Sequence, residues 1–180
     1  MRKTYNLIFL SFVISVCTNI EIVNARNIRT VGDALQVIIP AYAFGLAMSE
    51  DGYEGAKQFG YSFVSSQATT EILKSLTQRK RPDYTTGKRK NSFPSGHTAS
   101  AFLGATFIHR RYSLRQAIIP YVLSSFVGYS RIHANRHHPS DVLGGAILAG
   151  IHTWIFTHKY KNFSVTTDTK SIGIKYKTKL

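Results

Sequence analysis

Acidic residues are scarce in this chain: 9 Asp and Glu stand against 23 Lys and Arg, a formal net charge of +14. A protein so basic is drawn to anions, whether nucleic acid, phosphorylated small molecules or an acidic membrane face. Cysteine is rarer still. The single Cys, at position 17, leaves no intrachain disulfide, and a chain of 180 residues can build a core without disulfides or a structural metal. No stretch is dominated by period-two alternation and no internal repeat is present, so the chain reads as helical. Long apolar runs are missing as well. The longest uncharged stretches (91–108, 142–158 and 34–49) carry polar interruptions, where a transmembrane helix wants about 20 mostly apolar residues. With a mean hydropathy of −0.10, the expectation is one small helical bundle in solution or resting on a membrane. What is present, 43% hydrophobic and 12% aromatic residues, excludes a disordered chain.

The first 25 residues read as an address. Arg2 and Lys3 precede an apolar stretch from Leu7 to Val16, and Val23-Asn24-Ala25 supplies an A-x-A-like cleavage site. Residues 1–25 are therefore expected to be a signal peptide, with an uncleaved anchor as the alternative, and the protein to be exported, periplasmic or associated with the inner membrane. Residues 26–160 would form the domain and 161–180 a basic tail. Cys17 would leave with the peptide.

Helices are expected over 33–49 (interrupted by Pro40), 53–78, 95–108 (capped by Ser95), 114–129 (with Pro120 as a kink) and from Pro139 at a first turn to about residue 160. Residues 79–91, basic and holding Pro82 and Gly87, read as a loop.

Three clusters could hold a phosphate. In the first, Lys74 and Arg81 are seven apart, two helical turns, and would share a face; a solvated basic helix end fits as well. In the second, Pro94-Ser95-Gly96-His97 starts a helix whose free N–H groups can meet an anion, with His97 placed to give a proton to a leaving oxygen; an ordinary N-cap with a surface His is the alternative. In the third, Ser130-Arg131-x5-His137-x3-Asp141, the i, i+4 spacing would put His137 and Asp141 on one side of a helix head. A carboxylate bonded to one ring nitrogen frees the other for attack, and Arg131 adds a cation. A metal patch or a solvated loop remain the alternatives there, the metal disfavoured by the lack of acidic ligands.

Taken together, Lys-x6-Arg-Pro, Pro-Ser-Gly-His and Ser-Arg-x5-His-x3-Asp, in that order from Lys74 to Asp141, resemble the type 2 phosphatidic acid phosphatase superfamily. It includes class A nonspecific acid phosphatases, lipid phosphate phosphatases and vanadium haloperoxidases. The resemblance implies an all-α bundle of about five helices and a phosphatase that needs no metal or other cofactor. His137 would become a phosphohistidine, Asp141 would hold and polarise it, and His97 would protonate the leaving alcohol and then activate water. Lys74, Arg81 and Arg131 would grip the nonbridging oxygens, with Ser95 and the Gly96 amide completing the cradle. The substrate would be a phosphorylated lipid, or else a small phosphate ester as in broad-specificity acid phosphatases; a vanadate-dependent haloperoxidase is a further alternative that the short chain disfavours. Contact with an anionic membrane surface is expected and nucleic-acid binding is not. Two rims are expected around the site, one from Asp83, Tyr84, Thr85 and residues 88–90, the other from residues 133–136.

Overall fold

The computed structural model describes residues 25–83, 90–168 and 171–178. The expected signal peptide, apart from Ala25, and most of the first rim (84–89) lie outside the described residues. The elements follow in the order α1 (Ala25–Asp51), α2 (Tyr53–Thr77), α3 (Gly96–Arg111), α4 (Leu114–His133) and α5 (Pro139–Phe156), then two strands, β1 (Lys161–Asp168) and β2 (Ser171–Thr178). The domain is an all-α bundle with α3 at its centre, touching each of the other four helices. The tail, expected to have no helical period, pairs as an antiparallel ribbon with Val165 opposite Ile174.

Helix α1 runs straight through Pro40, against the expected interruption. A proline cannot donate to the carbonyl four residues back, which here is that of Gln36. Ser100 of α3 supplies the missing hydrogen bond, its Oγ donating to the Gln36 carbonyl at 2.9 Å. Contact at this point is close: a Cβ on Gly104 would stand 2.9 Å from both the Ile39 carbonyl oxygen and the Pro40 nitrogen. Helix α2 stops at Thr77 because Gln78 turns left-handed (φ 43°) and caps it, donating to the Lys74 carbonyl. Helix α4 continues through Pro120 to His133, longer than expected, and α5 ends at Phe156.

Two apolar clusters fill the interior. Leu35, Ile39, Ala101 and Val127 lie toward one end; Leu46, Phe59, Leu103, Phe107 and Tyr112 lie toward the other, with Phe59 and Phe107 edge to face at 5.1 Å. That second end is closed by a buried ion pair, Arg111 Nε to Asp51 Oδ2 at 2.7 Å. Tyr112 donates to the same carboxylate oxygen at 2.9 Å, and Arg111 also donates to the His158 carbonyl at 2.7 Å.

Large apolar side chains are not confined to the interior. On α2 the buried positions are Gly55, Gln58, Phe59, Ser62, Ser66 and Thr70, with Phe59 the one large apolar side chain among them, while Tyr61, Val64, Ile72 and Leu76 are exposed. On α5, Gly145, Ala149 and Thr153 face inward and Leu143, Ile147, Ile151, Trp154 and Ile155 outward. This polarity is reversed relative to a helix folding in water, which buries its apolar stripe; small residues at helix contacts are the habit of helices packed in lipid.

Candidate active site

The start of α3 forms as the sequence suggests. Ser95 is the N-cap, its Oγ accepting from the Thr98 hydroxyl at 2.9 Å and, at 3.5 Å, from the Thr98 amide. Its own amide donates to the Asp141 carbonyl at 2.9 Å, tying α3 to α5. Above this terminus sits Lys74: a Cβ on Gly96 would lie 3.1 Å from its Nζ. Glycine here lets an ammonium group and a row of free amides face the same small space. In this state Lys74 pairs with Glu71 at 2.7 Å.

Arg81 arrives differently from the expected two turns of helix. With α2 ended at Thr77, Arg81 lies in the following loop, where the next residue, Pro82, disfavours a helical conformation. The loop is pinned to the segment before α5 by the Asp83 amide on the Asn135 carbonyl, 3.1 Å, and by the Arg136–Asp83 ion pair, 3.0 Å. Arg136, an expected rim cation, is thus spoken for. Arg81 Nε is buried and has no hydrogen-bond partner among the described residues. Burial and the neighbouring Arg136 lower its pKa. A buried guanidinium donor left unpaired is costly, and an anion would satisfy it.

His137 is placed by hydrogen bonding of a kind the sequence did not suggest. It precedes the N-cap of α5, which is His138, so it is not on the helix. Its Nδ1 lies 2.7 Å from the Ser92 carbonyl oxygen, and 3.8 Å from Asp141 Oδ2. The expected direct bond to Asp141 is therefore replaced by one to a carbonyl. A carbonyl only accepts, so Nδ1 carries the hydrogen and Nε2 keeps its lone pair. Burial, and then the charge of Arg81, push the pKa of His137 down to about 4, so the ring is neutral at pH 7.

Asp141 acts one bond removed. It is fully buried and at the third position of α5 completes a capping box with His138, accepting the His138 amide at 2.8 Å. Its other partners are the Ser92 hydroxyl and Arg79 Nη1, at 2.7 Å. The Ser92 amide donates to the Arg79 carbonyl at 2.9 Å. Ser92 thus links the carboxylate to the imidazole, the carboxylate on its side chain and the ring on its carbonyl. His138 turns away, Nε2 3.2 Å from the Lys80 carbonyl.

The third cation brings in a residue from outside the motifs. Arg131 is 3% exposed, and its nitrogens are engaged by Asp33 Oδ1, the Arg29 carbonyl at 2.8 Å and the Ser130 hydroxyl. The same Asp33 oxygen lies 3.1 Å from His97 Nε2. Burial and the charges of Arg131 and Lys74 lower the pKa of His97, while Asp33 opposes them. Three site residues were missed from sequence: Asp33, Ser92 and Arg79. The available signal for Asp33 was a carboxylate standing directly before a stretch, residues 34–49, that carries no charge.

The charges of Arg81 and His97 both act on His137, and those of Lys74 and Arg131 act on His97; the three clusters share one site at the end of the bundle opposite Arg111. Phe59 and Phe63 stack at 5.8 Å in the core, and Tyr53 and Tyr61 are exposed on the first turns of α2. No cluster of His, Cys, Asp and Glu suited to a metal occurs among the described residues.

Known proteins resemble this chain in sequence and in fold. Lipid A 1-phosphatase of Porphyromonas gingivalis is 36% identical over 144 residues, covering 69% of this chain and 32% of that protein; the chain thus spans about a third of that relative's length. Lipid A 4'-phosphatase of Helicobacter pylori is 26% identical over 76% of this chain and 73% of its own length. The crystal structure of Aquifex aeolicus LpxE superposes with a TM-score of 0.55 at 26% identity, covering 75% of this chain and 94% of that one. The Bacillus subtilis transmembrane PAP2-type phosphatidylglycerolphosphate phosphatase shares the fold, with a TM-score of 0.53 at 24% identity over 86% of this chain and 83% of that one. The family model of the PAP2 superfamily matches residues 55–164, from α2 to the tail and across all three clusters, and the chain belongs to that superfamily.

Proposed function

We propose that this protein is a phosphatase that hydrolyses lipid phosphates, monoesters or pyrophosphates, through a phosphohistidine at His137 and without a metal. One observation carries the reading: a neutral, buried imidazole with its Nδ1 hydrogen fixed on the Ser92 carbonyl feels the charge of Arg81, whose buried Nε has no hydrogen-bond partner among the described residues. A nucleophile with a free lone pair and a cation lacking its anion are the two halves of a phosphoryl-transfer site.

In the proposed reaction the His137 Nε2 lone pair attacks phosphorus and the bond from phosphorus to the ester oxygen breaks. Protonated His97, its Nε2 held by Asp33, gives its Nδ1 proton to the departing oxygen. Neutral His97 then takes a proton from water as that water attacks the phosphohistidine, releasing inorganic phosphate and restoring both rings. Lys74, Arg81, Arg131 and the Gly96 amide stabilise the charge on the nonbridging oxygens, where one preorganised donor is worth roughly 3–4 kcal/mol.

The outer surface favours a lipid. Asp, Glu, Lys and Arg are absent from residues 34–49, 58–70, 98–109, 116–130 and 142–158. Charged side chains therefore gather at the two ends, around an apolar belt roughly 20–25 Å tall at about 1.5 Å per residue. Helix α1 is also long and apolar enough to cross a membrane over Ile28–Asp51. The reading is a bundle set into the bilayer by these charge-free segments, with His137, His97 and Arg81 at a water-facing end. That goes beyond the bundle in solution expected from hydropathy, because the apolar side chains face outward rather than forming uninterrupted runs. The names of the relatives, two of them lipid A phosphatases, make a lipid A phosphate the first substrate to try. Phosphate release from lipid A, phosphatidylglycerol phosphate, phosphatidic acid and p-nitrophenyl phosphate, with the protein in detergent micelles, tests the reading. Turnover of a lipid well above the soluble ester supports it; release from none of the lipids refutes it.

A further inference from the structure

At the end of the bundle remote from His137, α4 and α5 diverge over α3 and leave a cavity of about 370 Å³. Thr106, His109, Arg110, Tyr121, Trp154 and Lys159 are among its lining residues, and no carboxylate is. Thirteen positions of α3 separate Arg110 from His97, or about 20 Å along the helix, so this cavity is not part of the catalytic cradle.

We propose that this cavity binds the phosphodiester headgroup of an anionic phospholipid. Its floor is polar, with the Thr106 and Thr153 hydroxyls 2.8 Å apart. On one wall the Arg110 guanidinium lies 3.8 Å from the Trp154 ring centroid and spends only its Nε, on the Thr157 carbonyl at 3.2 Å. Its two terminal nitrogens, and Lys159 Nζ, have no protein hydrogen bond among the described residues. On the other wall Tyr121 holds His109 through Nδ1 at 3.0 Å, directing the remaining ring nitrogen elsewhere. Two cations with terminal donors unpaired among the described residues, and a fixed imidazole, around a hollow with no carboxylate in its lining match a monoanionic phosphodiester.

The surroundings match the rest of a lipid. One helical turn from Tyr121 stands exposed Ile118, and one turn from Gly150 and Trp154 stand exposed Ile147 and Ile151. Apolar walls therefore lead from the charged hollow along the belt, in the direction acyl chains would take. Trp154 is 66% exposed, a ring with an apolar body and a polar N–H at the edge of a charge-free segment, where such side chains mark the membrane boundary.

The inference rests on the bilayer placement proposed above, and Trp154, the only tryptophan of the chain, lets the two be tested apart. Intrinsic fluorescence of the full chain would be read in vesicles containing acyl-brominated phosphatidylglycerol, in vesicles containing equally brominated phosphatidylcholine, and in plain phosphatidylcholine vesicles with added inorganic phosphate. The expected result is selective quenching by the anionic lipid, with roughly fivefold enrichment per cation, halved or more in Lys159→Gln and lost in the Arg110→Gln/Lys159→Gln double variant. The Lys159 side chain makes no hydrogen bond or ion pair among the described residues, so its single variant tests the site even if the double variant is poorly folded. Equal quenching by the two lipids would overturn the site while leaving the bilayer placement standing. Quenching by neither would overturn both. An emission shift with inorganic phosphate alone would overturn the lipid assignment in favour of a free-anion site.

Discussion

Replacing Asp33 by Asn tests whether a residue outside the three motifs controls the proposed acid. The substitution keeps the shape and removes the charge that faces both His97, at 3.1 Å, and Arg131. Of the groups around His97, Asp33 from α1 is the one that holds its pKa up; Arg131 from α4 and Lys74 from α2 push it down, and His137 before α5 also faces it. An acid must be protonated to act, so the rate falls as pH rises through its pKa. Without Asp33 that pKa drops further and the alkaline limb of the pH–rate profile moves to lower pH. A hydrogen bond to a charged group is worth about 1.5–3 kcal/mol, or roughly 10–100-fold in kcat at about 1.4 kcal/mol per decade. The assay is phosphate release from a lipid phosphomonoester between pH 4.5 and 8.5, with thermal unfolding in detergent as a control. The loss should be larger at pH 7.5 than at pH 5. An unaltered profile, or a loss uniform with pH, would refute the pairing of Asp33 with the acid.

Other outcomes follow from the same geometry. His137→Ala should abolish phosphate release with the melting temperature retained. Because the neutral His137 ring has a pKa of about 4 and that of His97 lies below its ordinary value, kcat/KM should be highest at acidic pH once the substrate's own ionisation is divided out, with a limb near pH 4 that titrates His137. Asp141→Ala should cost more activity than Ser92→Ala, since the latter keeps the carbonyl that holds the ring; equal losses would place the Ser92 hydroxyl, not the carboxylate, in control. Orthovanadate should inhibit and EDTA should not; inactivation by EDTA reversed by a divalent cation would contradict a cradle made of Lys74, Arg81 and Arg131. Gly104→Leu should destabilise the bundle by at least about 1–3 kcal/mol through overpacking against α1, measurable as a lower melting temperature.

The sequence made the helices legible because their boundaries are written in single residues, such as Ser95 as a cap and Pro139 as a first turn. It made the three clusters legible because each pairs a cation or imidazole with a helix end. Where it misled, long-range partners decided the outcome. Pro40 does not break α1, because a serine 60 positions later satisfies the Gln36 carbonyl. Lys74 and Arg81 meet through a loop and not through helical spacing, since a left-handed Gln78 intervenes. The i, i+4 spacing of His137 and Asp141 suggested a direct pair, but His137 falls before the cap and finds a backbone carbonyl, a partner no side-chain pattern reveals. Asp33 lies 41 residues ahead of the first motif and reaches the site only by the packing of α1 on α4. The outward-facing apolar belt escaped hydropathy because each helix mixes apolar with small or polar residues; which face is which becomes visible only after folding.

The central claim is that the imidazole of residue 137 takes the phosphoryl group. Rapid alkaline quench of a turnover with ³²P-labelled lipid phosphate, followed by peptide mapping, addresses it directly. An acid-labile, base-stable label on the peptide containing His137, absent from His137→Ala, is the predicted result. Label on any other residue, or label that persists in His137→Ala, would contradict the account.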